Sequence, residues 1–439
     1  MINSVYLALI SIISAHNSIL TFLLLFTPFV VFFEGPFQLF IIIGIFRFAY
    51  NYYKKEDVLK SLPTVSCCIT CYSEGKAVIN TIKSLNFQTY PGMIEIIAVI
   101  DGAIQNKDTL TAAYSCQDFA SKTPNRKLII IPKWQRGGRV SSLNTGLKFS
   151  SGEVFMALDG DTSFDNDMVA KAVKYFEDKN VVALAGNLRV RNADKSLATR
   201  LQSLEYILSI SAGRTGLSSL GILNNISGAF GVFRKSILEL IGGWDTGTAE
   251  DLDITTRIKQ YFGHNKNWCI VFDPYIVGHT DVPESIISFF KQRLRWDGDL
   301  FYLIWRKHKD NITPDLLGWS NYILTVVGIF FMQMVLPFVI TLYTVYLFFT
   351  LNLAYLSALM FIVYLFYLIM LYIYFSIYWL LISDRQKDEI IYFLYMPIFP
   401  FFAFASRLNA ALAILHSMLN KSHLDSSMAP WWVLRKGKF

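Results

Sequence analysis

The stretch Lys291-Gln292-Arg293-Leu294-Arg295-Trp296-Asp297-Gly298-Asp299 stands where the chain changes solvent, with a segment of ordinary polarity before it and a long apolar one after. If residues 284–309 are helical, a turn of roughly 100° per residue puts Gln292, Arg295, Trp296 and Asp299 on one face, at i, i+3, i+4 and i+7. Ile287, Phe290, Leu294, Phe301 and Trp305 then fall on the opposite face. Such a helix can lie in a bilayer interface, apolar side down, and present an amide, a guanidinium, an indole and a carboxylate to what sits above. That set suits an anionic, ring-containing ligand. Taken alone, an amphipathic connector with snorkelling arginines is the commoner case, so the flanking sequence decides.

The chain has 439 residues, 53% of them hydrophobic and 15% aromatic, and a mean hydropathy of +0.39. That is too apolar for a soluble protein, yet a long segment has normal polarity, so a membrane part and a folded domain are both required. Five cysteines include Cys68 and Cys71 in a lone C-x-x-C without a second pair or a nearby histidine. They read as buried strand residues in a reducing compartment, not as a zinc site. The formal charge of +7 does not point to nucleic acid, because Lys54-Lys55, Arg306-Lys307, Arg385, Lys387 and Arg435-Lys436 all sit beside apolar segments. This is the positive-inside pattern of a bacterial-type inner or plasma membrane protein.

Apolar sequence from Val5 to Tyr50 is too long for a signal peptide and reads as two spans, roughly 5–33 and 36–52, which return the chain to the cytosol at Lys54. Residues 316–382 are long enough for two more, hinged near Asn352, with 383–388 cytosolic again. The last apolar piece, 390–416, carries Pro397, Pro400 and Arg407. A single span there would put the basic tail outside, so a re-entrant or interfacial hairpin is expected. The resulting division is residues 1–53 as an N-terminal membrane pair, 54–283 as a cytosolic domain, and 284–315 as the interface segment. Residues 316–419 form a C-terminal transmembrane or re-entrant region, and 420–439 a cytosolic tail.

From Pro63 to about Asp281 short β-rich runs alternate with amphipathic helical ones. Residues 65–70, 94–100, 127–132, 154–158 and 181–185 read as strands, and 75–85, 108–121, 139–149 and 166–176 as helices. The alternation predicts an α/β fold with a doubly wound, mostly parallel sheet, whose ligands bind at the carboxyl ends of the strands. Acids stand at three of those ends: Tyr72-Ser73-Glu74, Asp101-Gly102 and Asp159-Gly160-Asp161. Asp101 alone is as readily a helix cap. Two carboxylates straddling a glycine are more specific, since they can grip a hard Mg²⁺ or Mn²⁺ and leave positions open for diphosphate oxygens.

Gln135-Arg136-Gly137-Gly138-Arg139 opens a helix with glycines beside an arginine, a weak phosphate signal. Further on, Gly242-Gly243-Trp244-Asp245 precedes Ala249-Glu250-Asp251-Leu252-Asp253, and the acids open the helical pattern 254–261. They complement a helix dipole, or Asp251 projects into a sugar site as a general base.

Together these motifs resemble the processive, membrane-embedded family 2 glycosyltransferases: the inverting synthases of poly-N-acetylglucosamine, chitin oligosaccharides, hyaluronan and cellulose. The resemblance rests on Asp101, Asp159-x-Asp161, Glu250-Asp251 and Gln292-x-x-Arg295-Trp296, in the family's order and approximate spacing, between membrane segments. It implies a cytosolic GT-A domain inserted between transmembrane helices, with amphipathic interface helices, a UDP-sugar donor and a growing polysaccharide acceptor. Tyr72, Glu74, Asp101, Arg139, Asp159 and Gln292 would bind the nucleotide sugar, and Asp159 and Asp161 the metal. Asp251, with Glu250 beside it, would be the base, and Arg295 would stabilise the departing diphosphate. Trp244, Asp245 and Trp296 would shape the acceptor site. Departures are Ser73 and Ala249, where the family favours Asn and Thr, and Asp297-Gly298-Asp299, where it favours a small or basic residue after the tryptophan. Residues 383–388 are too short for the gating loop of cellulose synthases. Two other readings stay open: transfer of one or a few sugars to a lipid-linked or short acceptor, and a transporter or receptor whose α/β domain merely binds nucleotide. The tail, with Trp431-Trp432 and Arg435-Lys436, suits a lid or an interfacial anchor.

Overall fold

The computed structural model describes residues 2–15, 28, 30–52, 59–245 and 249–420. Lys54-Lys55 and the lid-or-anchor tail lie outside the described residues. Eight strands form one sheet: β1 Val65–Cys71, β2 Ile94–Asp101, β3 Arg126–Lys133, β4 Val154–Asp159, β5 Ser163–Phe164, β6 Val181–Val190, β7 Phe230–Arg234 and β8 Cys269–Thr280, in the order β3-β2-β1-β4-β7-β6-β8-β5. The first two are buried at every position, as expected of central parallel strands covered on both faces. β1 pairs in parallel with β2 and with β4 (Val65 opposite Ile94 and Val154). The chain therefore winds outward through β2 and β3, then returns to the other side of β1. The carboxyl ends of β1 and β4 flank this reversal, the place where open α/β sheets bind ligands.

The expected strands all lie within observed ones. β6 runs on to Val190, and β5, β7 and β8 were not foreseen. β5 has two residues, β7 (FGVFR) carries a glycine, and β8 contains Pro274. Pro274 sits where the β6–β8 register jumps, with Ala185 opposite Phe272 and Asn187 opposite Val277, and its carbonyl accepts a hydrogen bond from Asn187. The expected helix over 108–121 is two, Lys107–Tyr114 and Gln117–Lys122, parted where Ser115 turns its hydroxyl back onto the Ala112 carbonyl.

Among the described residues four helices are long and apolar enough to cross a membrane: Val30–Tyr52, Trp319–Thr350, Leu353–Leu381 and Phe399–Leu419. The middle two meet at Asn352, whose side chain accepts from Tyr355 N and caps the second. The last departs from the expected hairpin: a short 3₁₀ turn, Ile390–Leu394, leads into one 22-residue helix, Phe399–Asn420. This helix lies alongside Ile286–Phe301, with the Phe289 and Phe402 rings 4.8 Å apart at one end and the Ser417 hydroxyl donating to Gly298 O at the other. Gly298 permits the approach, since a Cβ there would sit 3.2 Å from that of Ser417.

Two connections seat the α/β domain on these helices. The helical run from Leu197 to Ser219, α-helical at its ends and π-helical over Ile207–Arg214, packs Gly216 against Gly44 of the first span. From the other side, the 383–388 loop pairs Arg385 with Asp165 at 2.8 Å and Asp384 with Arg189 at 2.6 Å.

Candidate active site

Arg139, in the first turn of helix Gly138–Phe149, is the hub. Its guanidinium donates to Asp159 Oδ1, to Thr70 Oγ1 at 3.0 Å and to Gly228 O at 2.6 Å, while Nε faces Glu250 Oε1 at 2.7 Å. Ends of β1 and β4, the 227–228 turn and the start of helix Glu250–Lys259 are thereby tied to one side chain. Gly228 must be small, as a Cβ would meet Glu250 Oε1 at 3.2 Å. The helix is entered through Ala249 at φ +47°, a left-handed conformation that costs a non-glycine residue about 1 kcal/mol or more.

Asp251 is held by three donors: Gly228 N and Asn225 Nδ2 to Oδ2, each at 3.2 Å, and Leu252 N to Oδ1 at 2.8 Å. Glu250 beside it is buried, and burial raises its pKa, opposed by the Arg139 charge and reinforced by that of Asp251. A small cleft lined by Arg139, Ser227, Gly228, Trp244, Glu250 and Asp251 opens here.

The remaining expected residues divide. Asp101 anchors its own chain: Oδ1 accepts from Lys133 Nζ and Gly137 N, Oδ2 from Gly138 N, all at 2.8 Å. It sits at the amino end of helix Gly138–Phe149 as a dipole-matched carboxylate. Tyr72 is half-exposed, with the Arg136 guanidinium 4.0 Å from its ring centroid. Glu74 Oε2 is buried without a hydrogen-bond partner, and burial, with the nearby Asp161 charge, pushes the carboxyl above its ordinary value. Asp161 is exposed and Asp159 partly so. Gly160 between them leaves a hollow that a Cβ would fill, 3.0 Å from Thr70 O and 3.1 Å from the Glu74 side chain. Among the described residues no group of three His, Cys, Asp or Glu side chains converges to hold a metal unaided.

Trp244 is 5% exposed and packs against Phe155 and Phe233, its backbone held by Asn144, so most of its ring belongs to the core. Asp245 is exposed and pairs with Lys307 at 3.0 Å.

The opening stretch lies in helix Ile286–Phe301, capped by Ser285 and continued as a π-turn over Tyr302–Lys307. Gln292 and Arg295 are half-buried, Trp296 is 38% exposed, and Asp299 is buried. On the opposite face Ile287 and Trp305 are exposed, and the fully buried side chain of the helix is Phe289, against Leu201 and Phe402. Arg293, which periodicity placed on neither face, pairs with Glu205 at 2.7 Å and lies 4.8 Å from the Trp296 ring centroid.

Periodicity also missed the joint between this segment and helix Glu250–Lys259. Asp253, 0% exposed, takes Lys307 Nζ and His308 Nε2 on Oδ1, both at 2.8 Å, with Arg257 3.6 Å from Oδ2. Leu252 continues the joint with Leu300, Leu303 and Ile304. The signal was present in Glu250-Asp251-Leu252-Asp253, where a third acid follows at i+3 of the first.

Asp299 gives a pH prediction. Burial raises its pKa from 3.8 to about 7; Arg295 opposes the rise, and Glu250 and Asp251 add to it. The folded chain therefore binds the proton more tightly than the unfolded one. The stability this contributes is full below the unfolded value, falls as pH rises and is gone above about 7. From pH 5 to 8 the thermal stability of the protein should fall by roughly 2 kcal/mol more than that of Asp299→Asn, and equal slopes would refute the assignment.

Residues 66–242 match the model of Glycosyl transferase family 2. The poly-β-1,6-N-acetyl-D-glucosamine synthase of Staphylococcus aureus is 29% identical over 250 residues, 56% of this chain and 57% of that protein. Its counterpart in Staphylococcus epidermidis is 31% identical over 234 residues, 53% of each chain. The chain thus spans little more than half the length of the curated relatives it matches. Among solved structures, a mannosyltransferase from Pyrobaculum calidifontis, in complex with GDP-Man and Mn²⁺, superposes with a TM-score of 0.57 over 88% of this chain and 97% of that one, at 16% identity.

The sheet order and the crevice between β1 and β4 are those of a GT-A fold. Residues 66–242 carry the family 2 glycosyltransferase match, and over little more than half its length the chain is similar to polysaccharide synthases.

Proposed function

We propose that this protein is an inverting, processive synthase that builds a β-linked polysaccharide from a UDP-sugar and passes it through its own membrane helices. The staphylococcal relatives are named for poly-β-1,6-N-acetyl-D-glucosamine, which makes UDP-N-acetylglucosamine the donor to try first. The α/β domain then faces the cytosol. The observation that carries the reading is Asp251, aimed at one cleft by three donors beside the Arg139 hub.

The residues fit a divalent ion bridged by substrate. Asp161 is exposed, Gly160 leaves a hollow, and Glu74 Oε2 is a buried acceptor without a partner. Asp159 and Asp161 would hold Mg²⁺ or Mn²⁺, which when bound would neutralise the donor's diphosphate. Tyr72 and Glu74 would take the nucleoside, with Asp101 fixing the turn beneath it and Gln292 contacting the donor from the interface helix. The acceptor hydroxyl gives its proton to Asp251 as its oxygen bonds the anomeric carbon from the face opposite the diphosphate. The bond from that carbon to the diphosphate oxygen breaks, and the electron pair leaves with UDP. Arg295 would stabilise that leaving charge, and Trp296 would stack beneath the acceptor sugar.

The test is purified protein in lipid with UDP-sugars, or GDP-mannose, and Mg²⁺ or Mn²⁺, reading nucleotide release and product length. Long products from UDP-N-acetylglucosamine are expected. Single-sugar products would replace polymerisation by transfer to a short or lipid-linked acceptor, and binding without release would leave a receptor or transporter.

A further inference from the structure

Arg139 stands where a cation is needed. It reaches Asp159 on one side and Glu250 on the other, and its side chain is only 10% exposed. A guanidinium offers five donors in a rigid fork; here they serve the Asp159 carboxylate, the Thr70 hydroxyl and the Gly228 carbonyl, while Glu250 is held as an ion pair. One positive charge between Asp159 and Glu250 leaves a net negative pocket, still attractive to a cation. One of the two carboxylate oxygens of Asp159, Oδ1, is nevertheless engaged by this guanidinium.

Resting on the proposed reading of Asp159 and Asp161, we propose that Arg139 is a built-in counter-cation that keeps free divalent metal off Asp159 until a nucleotide diphosphate arrives. The diphosphate gives the guanidinium a further anionic partner, frees Asp159 for the metal, and loosens the hold on Gly228 O and Glu250. Metal and donor are thereby taken up together, and the turn that supplies Gly228 N to Asp251 is released in the same event. Arg139 thus contacts the donor itself and acts on the metal through Asp159 and on Asp251 through the 227–228 turn.

The experiment measures Mn²⁺ binding by electron paramagnetic resonance to the full chain in detergent, with and without UDP, for the wild type, Arg139→Gln and Arg139→Lys. Without UDP, Arg139→Gln should bind Mn²⁺ roughly tenfold tighter than the wild type, the worth of one charged hydrogen bond, while its UDP affinity falls by a similar factor. Arg139→Lys keeps the charge without the fork and should lie between. Opposite movement of the two affinities is the signature, since mere unfolding would weaken both. If Arg139→Gln fails to fold, the Arg139→Lys and wild-type pair decides on the same sign. Mn²⁺ affinity unchanged or weakened in a variant that still binds UDP overturns the counter-cation. Wild-type protein that binds no Mn²⁺ even with UDP would overturn the metal reading itself, and the counter-cation with it.

Discussion

Asp251→Asn is expected to lower sugar transfer roughly 10³-fold while UDP binding stays within about twofold of the wild type. The amide can keep its oxygen toward Gly228 N and Asn225 Nδ2, which leaves its NH₂ facing Leu252 N. One hydrogen bond is lost, costing about 1 kcal/mol, too little to unfold the helix start. What disappears is a site for the acceptor's proton. Glu250 cannot take over, because it is buried and already faces Arg139. Nucleotide release and UDP calorimetry on the same preparation check both halves. Transfer within tenfold of the wild type would remove Asp251 from the reaction and restore the case for a domain that only binds nucleotide.

Asp253→Asn should cost folding, by roughly 3–5 kcal/mol, the usual consequence of removing one partner from a buried ion pair. Burial alone would raise this carboxyl's pKa, yet the His308 hydrogen bond and the Lys307 charge hold it below the ordinary value. The stability it supplies is therefore present above the unfolded carboxylate's pKa and lost as pH falls through the folded one. With the charge gone, Lys307 loses its buried carboxylate partner, and the seam between helix Glu250–Lys259 and the interface segment weakens. Thermal unfolding in detergent near neutral pH is the measurement. A variant within about 1 kcal/mol of the wild type would show that the apolar contacts of Leu252 hold the seam without it.

The parts legible in the sequence share one property: their signal is local. Residues 65–71, 94–101 and 154–159 are largely apolar, with acids at or just beyond their ends, so both the central strands and the strand-end carboxylates could be read. β7 and β8 could not, because a glycine and Pro274 weaken the pattern and the pairing with β6 lies far along the chain. The site shows the same limit. Asp251 and Asp159 could be picked out as candidates by type and place. The hub role of Arg139 depends on Thr70, Gly228 and Glu250 arriving from three different segments, and Gly-Gly-Arg carries no trace of that. Which side chains of the interface helix are buried depends on helix Phe399–Asn420, which carries Pro400 and Arg407 and runs unbroken where a hairpin was expected.

Gly44 and Gly216 meet backbone to backbone: a Cβ on Gly44 would lie 2.2 Å from Gly216 O, and one on Gly216 2.4 Å from Ile41 O. Ser219 closes the contact by donating to Gly44 O at 2.6 Å. Without this span, Ile207, Leu208 and Leu217 would lose the cover that Ile41 and Ile45 give them, so the α/β domain freed from it should be prone to stick to other apolar surfaces.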